Sequence, residues 1–217
     1  MLRHSWTMQA LANRGNGGIP TRGLIYWHPL SEALSVLPTG QAVAQTGTWT
    51  YGTVSGVPCA TKGNGNASIL CTDGAGIPSG GSARTLSVWL RILRRNAADV
   101  CGWGNTAVLG GWRLRVNNTD GASMPPYGPI TVAADLNTWR HYAAIYANGH
   151  VAAYADGVLT DTYDNTLDTP EVSAQSPMLI GAAAWQYGFC VASVRIYNRA
   201  LKSSEIAALA AEHTPTS

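Results

Sequence analysis

Charge is scarce in this chain. Asp, Glu, Lys and Arg together make up 12% of its 217 residues, with a net charge of +2. That is about half the charged share of an ordinary soluble domain. A near-neutral chain offers no field to hold nucleic acid, and its densest basic run, Arg91, Arg94 and Arg95, reads as a solvated strand end. Long apolar runs are missing as well: no segment reaches the ~18 residues of a membrane span. Residues 1–14 hold apolar positions interrupted by His4, Ser5, Thr7 and Gln9, so no secretory leader core is visible. The expectation is that a leader has been removed or that the protein leaves its cell another way, by lysis for example.

Cysteine is limited to four residues. No CxxC or Cys/His spacing marks a zinc site. Cys59 and Cys71 flank the turn-prone run Lys62-Gly63-Asn64-Gly65-Asn66. A hairpin centred near Asn64 and Gly65 sets them opposite each other, with a disulfide or two buried thiols as the alternatives. Cys101 and Cys190 read as buried thiols.

The residue patterns of hydrolytic chemistry are absent too. Retaining glycoside cleavage needs two carboxyls ~5–5.5 Å apart, a spacing that alternate positions of one strand supply. The glutamates are Glu32, Glu171, Glu205 and Glu212, and none lies in a Glu-x-Asp-x-x-Glu pattern. Asp161 and Asp164 are three apart, which on a strand sends them to opposite faces; a solvated loop is the expectation. There is no Gly-x-Ser-x-Gly elbow. His141 reads as a structural hydrogen-bonder and His28 as a strand-end residue. His4, His150 and His213, at termini or turns, are expected to be exposed. The chain is therefore read as having no catalytic residues.

What is present points to strands. Glycine (24) and proline (11) fall between short alternating runs, with hydrophobic residues at 46%, the signature of a sandwich or barrel. There is no internal repeat and no mid-chain linker, so one domain is expected. Asn148-Gly149 is a strong hairpin signal, because both positions tolerate φ > 0. A two-residue turn there pairs Tyr146 with Val151 and Ile145 with Ala152. Asp156-Gly157 repeats the device and pairs Tyr154 with Leu159. The resulting meander carries Ala143, Ile145, Ala152 and Tyr154 on one face. Trp112, Leu114 and Val116 face a core while Arg113 and Arg115 face out. Leu86, Val88 and Leu90 alternate with Ser87, Trp89 and Arg91, which gives that strand substance on both faces, and Val191 to Tyr197 reads as another core strand. The one convincing helix comes late, with Ser203 as its cap, Glu205 in the first turn, and Ile206, Leu209 and Ala210 as its apolar stripe.

Four stretches, in order, resemble the laminin-G-like branch of the concanavalin A-like lectin/glucanase superfamily. They are Gly23-Leu24-Ile25-Tyr26-Trp27; Ile77-Pro78-Ser79-Gly80 with Arg84 to Leu90; Trp139-Arg140-His141-Tyr142-Ala143 with Tyr154-Ala155-Asp156-Gly157; and Ile180-Gly181 with Gly188, Val194 to Leu201 and Glu205-Ile206. The resemblance covers about residues 23 to 213. It implies an all-β fold, a two-sheet antiparallel jelly-roll sandwich with a short C-terminal helix. On that reading residues 1–22 are an N-terminal arm and residues 23–217 the domain. Residues 1–14 of the arm read either as a weak helix at a loosely ordered terminus or as a tether to a partner. Two departures stand out: the acidic pair common before the closing Val-Arg-Ile-Tyr stretch is Ala192 and Ser193, and an aromatic of the earlier hairpin is Gly63.

The fold hosts many functions, so function rests on the site. Sugar recognition needs flat aromatic faces with amides and carboxylates nearby. Trp103 among glycines, Tyr127 in a Pro-rich run, and Trp185, Gln186 and Tyr187 near a strand end are the tentative ligand-binding residues; the alternative for each aromatic is core or loop packing. Trp27, Trp89 and Trp139 read as framework. Calcium is known in parts of the superfamily, but no dense Asp/Asn loop stands out, so no metal or other cofactor is expected. Asn66-Ala67-Ser68 and Asn117-Asn118-Thr119 match the glycosylation pattern by chance. The expected function is a non-catalytic lectin-like module that holds surface carbohydrate for attachment or adhesion, extracellular or at a virion surface. The alternative is a structural protein of a larger assembly, such as a phage decoration or fibre component, held to a protein partner through residues 1–14.

Overall fold

The computed structural model describes residues 18–62, 67–74, 76–94, 98–104, 111–116, 121–124, 130–133, 135–164, 166, 169, 172–173, 176–181 and 188–213. Among the described residues, fifteen strands and one helix follow in chain order: β1 Leu24–His28, β2 Ala44–Thr46, β3 Trp49–Val54, β4 Val57–Lys62, β5 Ser68–Cys71, β6 Arg84–Ile92, β7 Ala98–Trp103, β8 Trp112–Val116, β9 Gly121–Met124, β10 Ile130–Ala133, β11 Trp139–Ala147, β12 His150–Ala155, β13 Val158–Asp164, β14 Met178–Ile180, β15 Phe189–Tyr197 and α1 Ser203–Ala210. They form two antiparallel sheets. The first has eight strands in the order β13-β12-β11-β6-β15-β4-β3, with β1 also pairing β15. The second has seven, in the order β10-β9-β8-β7-β14-β5-β2. The expected jelly-roll sandwich is what the chain forms.

Alternation explains which residues lie between the sheets. Trp112, Leu114 and Val116 of β8 are buried while Arg113 and Arg115 point away, and Leu86, Val88 and Leu90 of β6 meet them from the other layer. The outer face of the first sheet is also covered, which accounts for strands with substance on both sides. Tyr154, Ala143 and Ile145 pack there under Ile206 and Leu209 of α1, and Trp89 and Trp139 pack with Val57, Cys59 and Ala192. The hairpin registers are those expected: Tyr146 faces Val151, Ile145 faces Ala152 and Tyr154 faces Leu159. Asn148 and Asp156 adopt φ of 53° and 48° ahead of Gly149 and Gly157, the left-handed geometry of a two-residue turn.

Several expectations are corrected. Cys59 and Cys71 are not hairpin partners: β4 belongs to the first sheet and β5 to the second, so the intervening segment crosses between layers. All four cysteines are free and buried. Asp161 and Asp164 lie on edge strand β13 rather than in a loop. The helix cap is Lys202, whose N–H is accepted by the Glu205 carboxylate at 2.9 Å, while Ser203 Oγ lies 3.2 Å from the Tyr154 hydroxyl. His213 is not exposed; its ring packs edge-on against Trp89 with centroids 5.8 Å apart. At the other terminus, Ile19 packs on the cluster beneath α1 and the Tyr197 hydroxyl donates to the Pro20 carbonyl at 3.0 Å. Residues 1–14 lie outside the described residues.

Candidate functional site

Serine, histidine and carboxylate do meet in this fold, on the outer face of the first sheet. Ser193 Oγ is 2.9 Å from His213 Nε2, and Glu212 Oε2 is 3.7 Å from the same nitrogen. A hydrolytic relay needs the carboxylate on the opposite ring nitrogen from the serine; here both address one. Ser193 is also 3% exposed, at a β-bulge with φ of 50°. A second pair, Ser87 Oγ and His141 Nε2 at 2.9 Å, is sealed completely. Burial, then the charges of Arg195 and His213, push the His141 imidazole down to about 3. These groups bolt the C-terminal segment down. Arg195, with no solvent exposure, meets Glu212 through both Nη atoms at 2.5 and 2.6 Å and lies 5.3 Å over the Trp27 ring.

The second sheet presents a different surface. Its outer face carries a cross-strand row set by register: Ala44 faces Leu70, Leu70 faces Leu179, Leu179 faces Gly102 and Gly102 faces Arg113. Five strands at ~4.8 Å spacing make this row about 19 Å long. One end is small or aliphatic and the other ends in charge. A shallow cleft of about 50 Å³ opens at the charged end, lined by Asp99, Cys101, Gly102, Trp103, Gly104, Arg113 and Leu179.

Arg113 is held in place by shape and charge together. A Cβ on Gly102 would sit 2.3 Å from Arg113 Cβ, and one on Gly111 would sit 2.2 Å from Arg113 Nη2. Only glycine at both positions lets the side chain lie flat. Arg113 Nη1 then donates to Asp99 Oδ2 at 2.8 Å, and Arg115 Nη1 stands 3.7 Å from Asp99 Oδ1. That second oxygen is buried and accepts no hydrogen bond among the described residues. The cleft thus sets a carboxylate and a guanidinium beside an aliphatic side chain and two strips of bare backbone. Such a surface pairs hydroxyls with the charged groups and packs C–H faces on Leu179.

Of the residues that the sequence offers as ligand contacts, Trp103 lines this cleft but is not loop-exposed. It ends β7 at 2% exposure, with its indole N–H donating to the Pro78 carbonyl at 2.9 Å. It is framework to the cleft rather than a stacking platform. Tyr127, Trp185, Gln186 and Tyr187 lie outside the described residues. Met124 and Ile130, which flank Tyr127, pair at the end of β8 that carries Arg113. Gly181, which precedes Trp185, bonds to Val100, about 10 Å along β7 from Trp103 at ~3.3 Å per residue. Asp99 and Leu179 escape sequence reasoning because their roles depend on non-local pairing. The outward arginines of the Trp112-Arg113-Leu114-Arg115 alternation are the available signal. Among the described residues no group of His, Cys, Asp and Glu gathers for a metal ion, and no helix is long and apolar enough to cross a membrane.

Residues 62–207 match the family model described as the concanavalin A-like lectin/glucanases superfamily. No curated protein matches the sequence significantly. Among solved structures, domain 4 of an extracellular arabinanase from Geobacillus stearothermophilus, in complex with arabinotriose, is 19% identical with a TM-score of 0.61; the match covers 86% of this chain and 98% of that one. The binding domain of Paraclostridial Mosquitocidal Protein 1 is 15% identical with a TM-score of 0.65, over 87% of this chain and 52% of the other. Trypanosoma rangeli sialidase in complex with sialic acid is 19% identical with a TM-score of 0.69, over 93% and 36%. The chain therefore spans about half of the toxin domain and about a third of the sialidase. At these identities the likeness is one of fold.

Proposed function

Since the chain belongs to the concanavalin A-like lectin/glucanases superfamily, we propose that it is a non-catalytic carbohydrate-binding module whose ligand lies along the outer face of the second sheet. The observation that carries this reading is the cleft at β7, β8 and β14, where a glycine-nested Arg113–Asp99 pair borders aliphatic Leu179. Arg113, held in place by Asp99, donates to sugar hydroxyls, and the Leu70–Leu179 strip packs against ring C–H groups. Tyr127, Trp185, Gln186 and Tyr187 belong to the same proposal, as the aromatic and amide groups that the sequence offers as ligand contacts.

Two further points support it. The arabinanase domain of nearly the same extent is a part of an extracellular enzyme solved with a sugar, which fits a module working on carbohydrate outside the cell. Ser193 and Ser87 are both buried, without the access that hydrolysis demands, and Glu212 stands on the same His213 nitrogen as Ser193 rather than on the opposite one. Attachment to surface polysaccharide is the role that follows.

The test is a glycan array on the intact protein, with calcium and with a chelator, paired with an assay for release of reducing ends from each glycan bound. Saturable, chelator-insensitive binding to one sugar class without cleavage is expected. Cleavage of a bound glycan, or binding only with calcium, overturns the corresponding part of the reading.

A further inference from the structure

Arg84 opens β6 with its guanidinium inside the sandwich. It has no solvent exposure, and its register partner on β11 is Tyr146. The described arginine–carboxylate pairs engage Arg113, Arg115, Arg140, Arg195 and Arg199, and Arg84 is in none of them. Two rings flank it instead. Its Cζ lies 5.7 Å from the centre of Trp112 and 5.3 Å from that of Tyr146, and those rings meet edge-on at 6.2 Å. Burial draws the guanidinium pKa down to about 10, which still leaves a full positive charge at neutral pH.

The N–H groups of this side chain are served unevenly. Nε donates to the Ser82 carbonyl at 2.8 Å. Nη2 donates to the Gly80 carbonyl and, at 3.4 Å, to that of Ser79. Nη1 is buried and has no acceptor among the described residues. Trp112 Nε1, on the ring that flanks the guanidinium, is a second buried donor without one. A buried donor left unmade is costly, and a buried charge without a counter-charge is costlier still. Carbonyl dipoles and ring faces offset only part of that charge. A water at Nη1 would serve the N–H groups and leave the charge; an anion serves both. Complete burial limits the size of that ion, and a single guanidinium limits its charge to one. The turn that supplies the carbonyls is open on one side. A Cβ on Gly80 would meet nothing within 4 Å, which gives a small ion a path.

We infer that a halide site lies beside Arg84 Nη1, where chloride accepts from Nη1 and from Trp112 Nε1 and cancels the guanidinium charge. The ion ties the turn at residues 79–82 and β6 of the first sheet to β8 of the second.

Thermal unfolding of the full chain in sodium chloride, sodium bromide and sodium gluconate at equal ionic strength reads the site in solution, because gluconate is too large to enter. Chloride and bromide are expected to raise Tm saturably by about 3 °C or more over gluconate. Arg84→Met is expected to lose this response. Trp112→Phe keeps the ring and removes the N–H, and its half-saturating chloride concentration is expected to rise about threefold or more. Crystals of the wild type soaked in bromide give a reading that needs no variant, an anomalous peak within hydrogen-bond reach of Arg84 Nη1. Equal Tm in the three salts, or no peak at Arg84, overturns the proposal. So does a halide response that Arg84→Met retains, and so does a peak without halide-specific stabilisation, which marks an adventitious ion only.

Discussion

Replacing Glu212 by alanine probes the C-terminal bolt at its most costly point. The Arg195 guanidinium has no solvent exposure and both its Nη atoms bond Glu212, at 2.5 and 2.6 Å. Removing the carboxylate strands a buried cation, a change that costs about 3–5 kcal/mol. His213 loses its neighbour as well, so the contact of its ring with Trp89 loosens. For a domain of this size each kcal/mol lowers Tm by about 2–4 °C, so a fall of about 6–20 °C is expected. Glu205→Ala is the internal comparison, because Glu205, in the first turn of α1, pairs with Arg199 just before the helix at 25% exposure of each side chain. Exposed pairs contribute about 0–1 kcal/mol, with a similar amount from the lost cap at Lys202. Urea titrations followed by tryptophan fluorescence measure both variants. Replacing the pair together, Arg195→Met with Glu212→Leu, is expected to recover most of the loss, since a packed apolar pair needs no compensation. Equal costs for Glu212→Ala and Glu205→Ala, or a cost below about 1 kcal/mol for the former, would refute the bolt.

Acid should weaken the fold before its carboxylates titrate. Burial holds the His141 imidazole down to about 3 and that of His28 down to about 4. Each binds fewer protons folded than unfolded, so its contribution is whole above pH ~6.5 and is lost as pH falls toward those values. Between pH 7.5 and 5 each costs about 2 kcal/mol of stability; His141→Gln should flatten part of that slope in urea titrations run across the range. Gly102→Ala places a methyl 2.3 Å from Arg113 Cβ and from the Trp112 carbonyl, at a φ of 149°. It should cost about 2 kcal/mol or more and displace Arg113, seen as a lower Tm together with weaker glycan binding. Trp103→Phe removes the bond to Pro78 and should cost about 1–3 kcal/mol in thermal unfolding. An unchanged Tm with lost binding would instead make Trp103 the exposed platform that its glycine neighbours suggest.

Local signals in the sequence are legible and distant ones are not. The Asn148-Gly149 turn fixes the β11–β12 register, and the Asp156-Gly157 turn fixes the first two pairs of β12 with β13, beyond which a β-bulge at Thr160 shifts the register. Alternation in β6 and β8 tells which residues point inward. The segment after Lys62 misleads, because a turn-prone run looks alike whether the chain folds back in one sheet or crosses to the other. Trp103 misleads for a related reason: flanking glycines signal a loop, yet here Gly102 serves the close approach of Arg113 and Trp103 turns inward. His213 is hidden because its burial comes from Trp89, far away in sequence. The cleft joins β7, β8 and β14, and no local pattern records that β14 lies beside β7.

The central claim is that glycan binds at the Asp99–Arg113 cleft, and its most direct test is a pair of calorimetric titrations. The glycan found on the array is titrated into the wild-type protein and into Asp99→Asn, which keeps the side chain's shape and removes its charge. The account predicts saturable binding to the wild type, weakened at least tenfold in the variant while Tm falls by only a few degrees. Equal affinity for both proteins, or no array glycan that binds the wild type at all, would contradict it.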